Sequence, residues 1–155
     1  MKKIMFITLM AAFFVIAGCE KSGNVDPVYQ KGLDTIYPNA KHVEWEYDDG
    51  YLTAEFLYDG MEIKIWFDAN GNWLCIDTDM PFRKLPQNIQ DAFDNSEYSD
   101  WKIDDIDYMQ ICNNPAVQDI LSFYEFDVEK GEREKEFVIY PDGNIGDKPN
   151  YWGFE

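Results

Sequence analysis

Residues 51–77 read YLTAEFLYDGMEIKIWFDANGNWLCID, and the prediction of the fold begins from this segment. Apolar side chains stand at the even positions from 52 to 58 and at the odd positions from 61 to 67. Such period-two alternation is typical of strands that bury one face. Asp59-Gly60 and Asn70-Gly71 separate the alternating segments, and both are turn sequences that join antiparallel strands. The stretch therefore predicts a three-stranded antiparallel meander.

A helix is predicted shortly before this meander. Asp26 is a favoured N-cap residue, and Pro27 fits the first position of a helix. A stripe at helical spacing follows and consists of Tyr29, Leu33, Ile36 and Tyr37. Pro38 ends this pattern because proline cannot continue a helix.

The same layout returns in the second half of the chain. Leu85, Ile89, Ala92 and Phe93 repeat the helical spacing, with Pro86 near the start of the pattern. Further matches pair Trp45 with Trp101, Glu55-Phe56 with Glu125-Phe126, and Gly71-Asn72 with Gly143-Asn144. The pattern predicts an internal repeat of one helix followed by an antiparallel meander.

The predicted fold class is α+β, with two tandem helix-plus-meander repeats forming one curved antiparallel sheet and both helices on one face. The first repeat spans 26–80 and the second spans 81–155, with a loop insertion near 109–120. Neither repeat is large enough to form a core alone, so 26–155 is predicted to be one structural domain. The residues expected to face the helices are Ile63, Ile65, Phe67, Leu74, Ile76, Phe126, Phe137 and Ile139.

The N-terminus is predicted to direct export and lipid attachment. Met1-Lys2-Lys3 precedes an apolar run too short to span a bilayer, which is the layout of a secretory signal. The run ends in Ile16-Ala17-Gly18-Cys19, which resembles a bacterial lipobox. We therefore expect a signal peptide over 1–18, lipid on Cys19 and a tether over 19–25. The protein would then be anchored to an envelope membrane on its periplasmic side or at the cell surface.

Composition excludes several functional classes. The chain has 155 residues, with 13 Lys and Arg against 30 Asp and Glu, and a net charge of −17. Nucleic acid is not expected as a partner, because phosphate binding requires clustered basic residues. The acidity favours a cationic partner surface, and solubility alone is the alternative explanation.

No catalytic constellation is recognisable in the sequence, and we expect neither an enzyme nor a cofactor. His42 is the only histidine, and Glu44 and Glu46 share its strand parity without a nucleophile at a recognisable spacing. Residues 68–72 superficially match the start of a calcium loop, but the glycine and the final acidic residue are misplaced, so a hairpin turn is favoured. No metal site is predicted.

Two cysteines remain after lipidation of Cys19. Cys75 and Cys112 would lie in an oxidising compartment, where they could form one disulfide. Two buried thiols are the alternative.

A further pattern of aromatic, proline and Asn-Gly positions is formed by Tyr37-Pro38-Asn39-Ala40, Val43-Glu44-Trp45-Glu46, 51–56, 65–74 and Leu85-Pro86. In this pattern the chain resembles the PepSY-like family of β-lactamase-inhibitor-like envelope proteins. The resemblance covers nearly all of residues 28–145 and contains no catalytic signature. It implies two αβ repeats in a curved antiparallel sheet, with a binding or inhibitory role outside the cytoplasm.

The sheet face opposite the helices is the predicted binding surface. Its predicted binding residues are Tyr51, Glu55, Trp66, Trp73, Phe123 and Tyr140. Aromatic side chains among carboxylates suit recognition of an envelope protein or hydrolase. Alternatively, the aromatics pair across strands beneath the insertion loop and the tail 151–154. A second function class is a small-ligand or cation-binding lipoprotein with a pocket under Asn113-Asn114-Pro115.

Overall fold

The structure is a computed structural model that describes residues 25–114 and 119–149. The predicted signal peptide, Cys19, most of the tether and the tail 151–154 lie outside the described residues. The described residues form two α-helices, α1 (Pro27–Ile36) and α2 (Gln87–Asp94), with a short 3₁₀ helix (Phe82–Lys84) before α2. The strands are β1 (Glu44–Asp48), β2 (Tyr51–Tyr58), β3 (Met61–Phe67), β4 (Trp73–Asp79), β5 (Lys102–Asn114), β6 (Asp119–Lys130), β7 (Arg133–Ile139) and β8 (Ile145–Gly146).

All eight strands form one antiparallel sheet in the order in which they occur along the chain. Pairing of β4 with β5 joins the two halves edge to edge, as the sequence predicts. The element order is one helix and four strands, then a second helix and four strands. A single antiparallel sheet with two helices is therefore confirmed.

Local chemistry accounts for the helix start and the tight turns. The side chain of Asp26 accepts a 3.0 Å hydrogen bond from the backbone N–H of Val28 and caps α1. Asp59 and Gly60 both have positive φ, at 53° and 71°, which is the conformation that a two-residue hairpin requires.

Both helices cover the same face of the sheet. Leu33 of α1 packs into a core with Phe67 and Ile76, whereas Ile89 of α2 packs into a core with Phe126 and Phe137. Thr78, two residues after Ile76, lies opposite Tyr108, which packs against the α2 core. Because alternate residues of a strand share a face, the two cores lie on one side of the sheet. We call this side the helix face.

A bulge changes the predicted parity at the start of β4. The register shifts between Trp66 and Phe67, so that Trp66 lies opposite Cys75 and Phe67 lies opposite Trp73. Trp73 consequently packs against the α1 core on the helix face. Its predicted place on the binding face is wrong. Leu74 is predicted to face the helices, but it is absent from the helix-face clusters of the described residues.

The predicted insertion mainly lengthens two central strands. β5 has 13 residues and β6 has 12, so positions 109–114 and 119–120 are strand rather than loop. Residues 115–118 and the side chains of Asn113 and Asn114, which the predicted ligand pocket involves, lie outside the described part of the structure.

Cys75 and Cys112 are both present as thiols. Cys75 lies directly opposite Ile111, and alternation directs the side chain of the next residue, Cys112, to the other face of the sheet. The two side chains therefore lie on opposite faces of the sheet, with Cys75 buried and Cys112 partly exposed, and this placement does not favour the predicted disulfide.

Candidate functional site

The face of the sheet opposite the helices is the candidate site. In the described residues, neither helix packs against it. We call it the open face. Its members follow from the register, because residues directly opposite each other on paired strands share a face.

An apolar patch occupies the middle of the open face. The patch has a buried floor of Cys75, Met109, Ile111, Phe123 and Val138, and the partly exposed Trp66, Leu121 and Tyr140 pack against it. The rings of Phe123 and Tyr140 meet edge to face with centroids 6.4 Å apart. Burial raises the pKa of the Cys75 thiol, so this thiol is neutral packing material in the patch.

The predicted binding residues are placed differently from one another. Tyr51, Glu55, Trp66 and Tyr140 lie on the open face and are partly exposed. Phe123 is on the same side but has 0% exposure, so it is part of the patch floor rather than a contact residue. With Trp73 on the helix face, the structure brings four of the six predicted side chains to the accessible open face.

A series of carboxyl groups crosses the open face from β2 to β7. Three hydrogen-bonded pairs of acidic side chains form it: Glu55 with Glu62, Asp77 with Asp107, and Glu125 with Glu136. Each pair joins two neighbouring strands diagonally, and Asp107 lies directly opposite Glu125. We call these six residues the carboxyl row.

Burial and mutual repulsion shift the protonation of the carboxyl row. Burial raises the pKa of Asp107 to about 8, and the charges of Asp77 and Asp105 add to this effect. Burial likewise raises the pKa of Asp77 to about 6 and that of Glu125 to about 7. Glu136 is the opposite case, because its hydrogen bonds with Glu125 and Lys148 hold its pKa below the ordinary value. The row therefore carries more acidic groups than it can ionise at neutral pH.

Asp77 also has an unsatisfied oxygen. Among the described residues, its Oδ1 is the buried side-chain oxygen or nitrogen that lacks a hydrogen-bond partner. Buried polar atoms are nearly always paired, so this oxygen is suited to accept from water or from a ligand donor.

Two lysines lie near the carboxyl row, and one of them contacts its members directly. The Lys64 ammonium lies 2.8 Å from Asp48 and 3.6 Å from Glu46, and it also lies 5.1 Å from the ring centroid of Trp66. Lys148, just after β8, donates from Nζ to both Glu125 and Glu136.

A groove adjoins the open face at Glu136, and most of its lining side chains are acidic. It has a volume of about 450 Å³ and is lined by Asp104, Asp127, Val128, Glu129, Glu134, Lys135 and Glu136. We call it the acidic groove.

Three carboxylates, two of which line the groove, also meet the geometry of a cation site. One oxygen from each of Glu125, Asp127 and Glu136 lies within 4.8 Å of the others. Carboxylate oxygens are ligands that Ca²⁺ accepts, so the set fits a hard divalent cation. The sequence-based expectation of no metal site did not consider this cluster.

The sequence alone does not reveal the carboxyl row. Alternation places Glu55, Asp77, Glu125 and Glu136 on the open parity, but parity does not show which carboxyl groups approach each other. The pairing depends on residues far apart in the chain, such as Asp77 and Asp107, which meet only through strand register. The signal that could have found them is the predicted joining of the two repeats into one sheet, combined with parity.

Fold and site together define an α+β protein whose single antiparallel sheet leaves an acidic and aromatic face uncovered by its two helices. The chain belongs to the family described as "Putative beta-lactamase-inhibitor-like, PepSY-like", whose model matches residues 49–146. No curated protein matches this sequence. Within the described ranges, neither helix has the length and apolar character needed to cross a bilayer.

Solved structures from Bacteroides share this fold. A BLIP-like protein from Bacteroides fragilis is 28% identical, covers 82% of this chain and 92% of its own, and superposes with a TM-score of 0.69. A DUF2874 family protein from Bacteroides uniformis is 27% identical, with coverage of 78% and 86% and a TM-score of 0.66. A chain from Bacteroides eggerthii, described among "putative periplasmic proteins", is 23% identical, with coverage of 79% and 86% and a TM-score of 0.66.

Proposed function

We propose that this chain is a lipid-anchored extracytoplasmic binding protein that uses the open face of its sheet to bind an envelope protein. The observation that carries the proposal is a sheet face on which accessible aromatic side chains, Trp66 and Tyr140, adjoin a row of carboxyl groups. Aromatic anchors in a partly desolvated patch, bordered by polar groups, are the usual composition of a protein-binding surface.

Family membership supports a binding role over catalysis. The family and the similar structure from Bacteroides fragilis are both described by likeness to a β-lactamase inhibitor. We infer that the partner is an envelope hydrolase and that binding restrains it. The proposal also takes the two helix-and-strand units as repeats of one module.

The location rests on the sequence of the N-terminus. The basic start, apolar run and Cys19 support export and lipid attachment. The similar chain described among "putative periplasmic proteins" agrees with an extracytoplasmic place.

Capture from an envelope extract tests the proposed surface. The tagged protein is compared with a Trp66→Ala/Tyr140→Ala variant and with a Tyr47→Ala control. Tyr47 is 73% exposed and lies opposite Leu52, a helix-face position. The control substitution therefore removes an exposed aromatic side chain from the helix face and leaves the open face unchanged. We expect capture to fail for the double variant and to persist for the control. Equal recovery of the same partner by all three proteins would refute the assignment of the open face.

A divalent cation is the second candidate ligand, and the cluster of Glu125, Asp127 and Glu136 favours it. Calcium binding would raise the melting temperature progressively with CaCl₂ concentration, since a ligand of the folded state stabilises by mass action. An Asp127→Asn variant should then lose this shift. A melting temperature independent of calcium would exclude the candidate.

A further inference from the structure

The acidic groove and the carboxyl row form one continuous surface. Glu136 belongs to both, and Asp127 lies directly opposite it on β6. Lys102 pairs with Asp104 and Glu129 at one edge of the groove, and Lys135 approaches Asp147 at 3.8 Å. Within the described ranges, Asp127 and Glu134 have no salt-bridge partner. The groove therefore retains negative charge that the protein's own lysines do not neutralise.

The contacts of Lys148 show that this surface can bind a cationic side chain. Its ammonium donates to Glu125 and Glu136 at the point where the carboxyl row meets the groove. The lysine comes from the segment after β8, not from the strands that build the surface. The alkylammonium group of this lysine is thus bound by the two carboxylates.

The apolar patch adjoins the same carboxylates. Glu125 lies directly opposite Val138, a member of the patch floor, and the next open-face pair along the strands is Asp127 with Glu136. A bare metal ion would use the carboxylates only. A chain segment would use the carboxylates together with the exposed rings of Trp66 and Tyr140, and the groove volume of about 450 Å³ suits a side chain.

We propose that the acidic groove binds a lysine- or arginine-bearing segment of the partner protein, and that Lys148 occupies the adjoining carboxylates as an intramolecular competitor. This proposal rests on the proposed function and names the chemistry of its partner. Charge complementarity carries it, because cationic side chains are attracted to a surface with unneutralised carboxylates and are released by salt.

A synthetic peptide tests the proposal without knowledge of the partner. The probe is a fluorescein-labelled peptide of repeated Lys-Trp-Lys-Ser units, and its binding is followed by anisotropy at low and at high salt. One companion peptide replaces each lysine by glutamate, and another replaces each tryptophan by serine. We expect the probe to bind, the glutamate peptide to fail and the serine peptide to bind several-fold more weakly.

Paired variants locate the binding on the groove. Asp127→Asn/Glu136→Gln should weaken probe binding by about tenfold, because two charge-assisted contacts are lost. Asp94→Asn/Glu97→Gln makes the same change of net charge around the end of α2 and should alter binding less than about twofold. Equal weakening by both variants would mean that only the overall charge attracts the probe, and would overturn the proposal.

The competitor role of Lys148 has its own control. Lys148→Gln should tighten probe binding by about fivefold, because Glu125 and Glu136 become available. Lys31→Gln removes the same charge from the exposed side of α1 and should change binding less than about twofold. No difference between these variants would overturn the competitor role. A probe that does not bind, with a calcium-dependent rise in melting temperature, would assign the carboxylates to a cation instead.

These outcomes are distinguishable from failure of the proposed function. If partner capture depends on Trp66 and Tyr140 but is insensitive to salt and to the groove variant, the open face binds a protein that is not cationic. If capture is the same in every open-face variant, the proposed function itself fails.

Discussion

A side-chain hydrogen bond joins Asp77 of β4 to Asp107 of β5 on the open face, and it lowers the pKa of Asp77 while it raises that of Asp107, which favours one shared proton on Asp107. Asp105 and Glu125 add further negative charge around the pair, whereas Lys64 contributes the opposing positive charge. Burial and this repulsion raise the pKa of Asp107 to about 8 and that of Asp77 to about 6. In the unfolded chain both groups return to a pKa of about 3.9.

The free energy of unfolding should fall as the pH rises from about 4 to about 8, because in this window the folded state binds more protons than the unfolded state. The loss should amount to several kcal/mol, since each unit by which folding raises a pKa corresponds to about 1.4 kcal/mol. Asp107→Asn should remove the largest single part of this dependence and raise stability at pH 8 by more than about 1 kcal/mol, since its amide still donates to Asp77 without a charge. Urea denaturation at several pH values measures both effects.

The exposed Asp94→Asn variant is the control for that measurement and should retain the wild-type slope. A wild-type protein that gains stability from pH 5 to pH 8 would contradict the shared proton.

Trp66 and Trp73 should respond differently to truncation because the bulge places them on opposite faces. Trp73→Ala should lower the free energy of unfolding by about 2–3 kcal/mol, since it removes packing from the α1 core. Trp66→Ala should cost about 1 kcal/mol and abolish partner capture. Chemical denaturation and capture assays on both variants check this, and the reverse pattern would place the two rings on exchanged faces.

Gly32 is required for the contact between α1 and the turn before β4. Alanine usually stabilises a helix relative to glycine, but a Cβ at position 32 would lie 2.1 Å from the backbone oxygen of Gly71. Gly32→Ala should therefore lower the free energy of unfolding by more than about 2 kcal/mol. Gly131→Ala is the comparison, because it has positive φ but open space around it, and it should cost about 1 kcal/mol. Thermal or urea denaturation ranks the two, and a stabilised Gly32→Ala variant would exclude the close approach.

Cys19→Ser should abolish lipid attachment. In cells fed a radiolabelled fatty acid, we expect label on the wild-type protein and none on the variant, with the variant released from the membrane fraction. A Ser22→Ala variant in the predicted tether should be labelled normally. Equal labelling of Cys19→Ser would refute the lipobox.

Most strand positions could be predicted because the alternation of apolar and polar side chains along a strand indicates which face each side chain occupies. The helix-face residues Ile63, Ile65 and Ile76 were correctly assigned from period-two alternation. The prediction failed where one residue was inserted into the pattern, since the bulge after Trp66 moved Trp73 across the sheet. No local signal in residues 66–73 distinguishes a regular hairpin from a bulged one.

Period, turn residues and capping are local properties of a chain, and for this reason the helices, the hairpins and the antiparallel order of the strands follow from the order of amino acids alone. The carboxyl row and the contacts of Lys148 with it arise only when the strands have paired and packed. They join groups such as Asp77 with Asp107, whose approach depends on the register of paired strands and on the burial that the assembled sheet imposes.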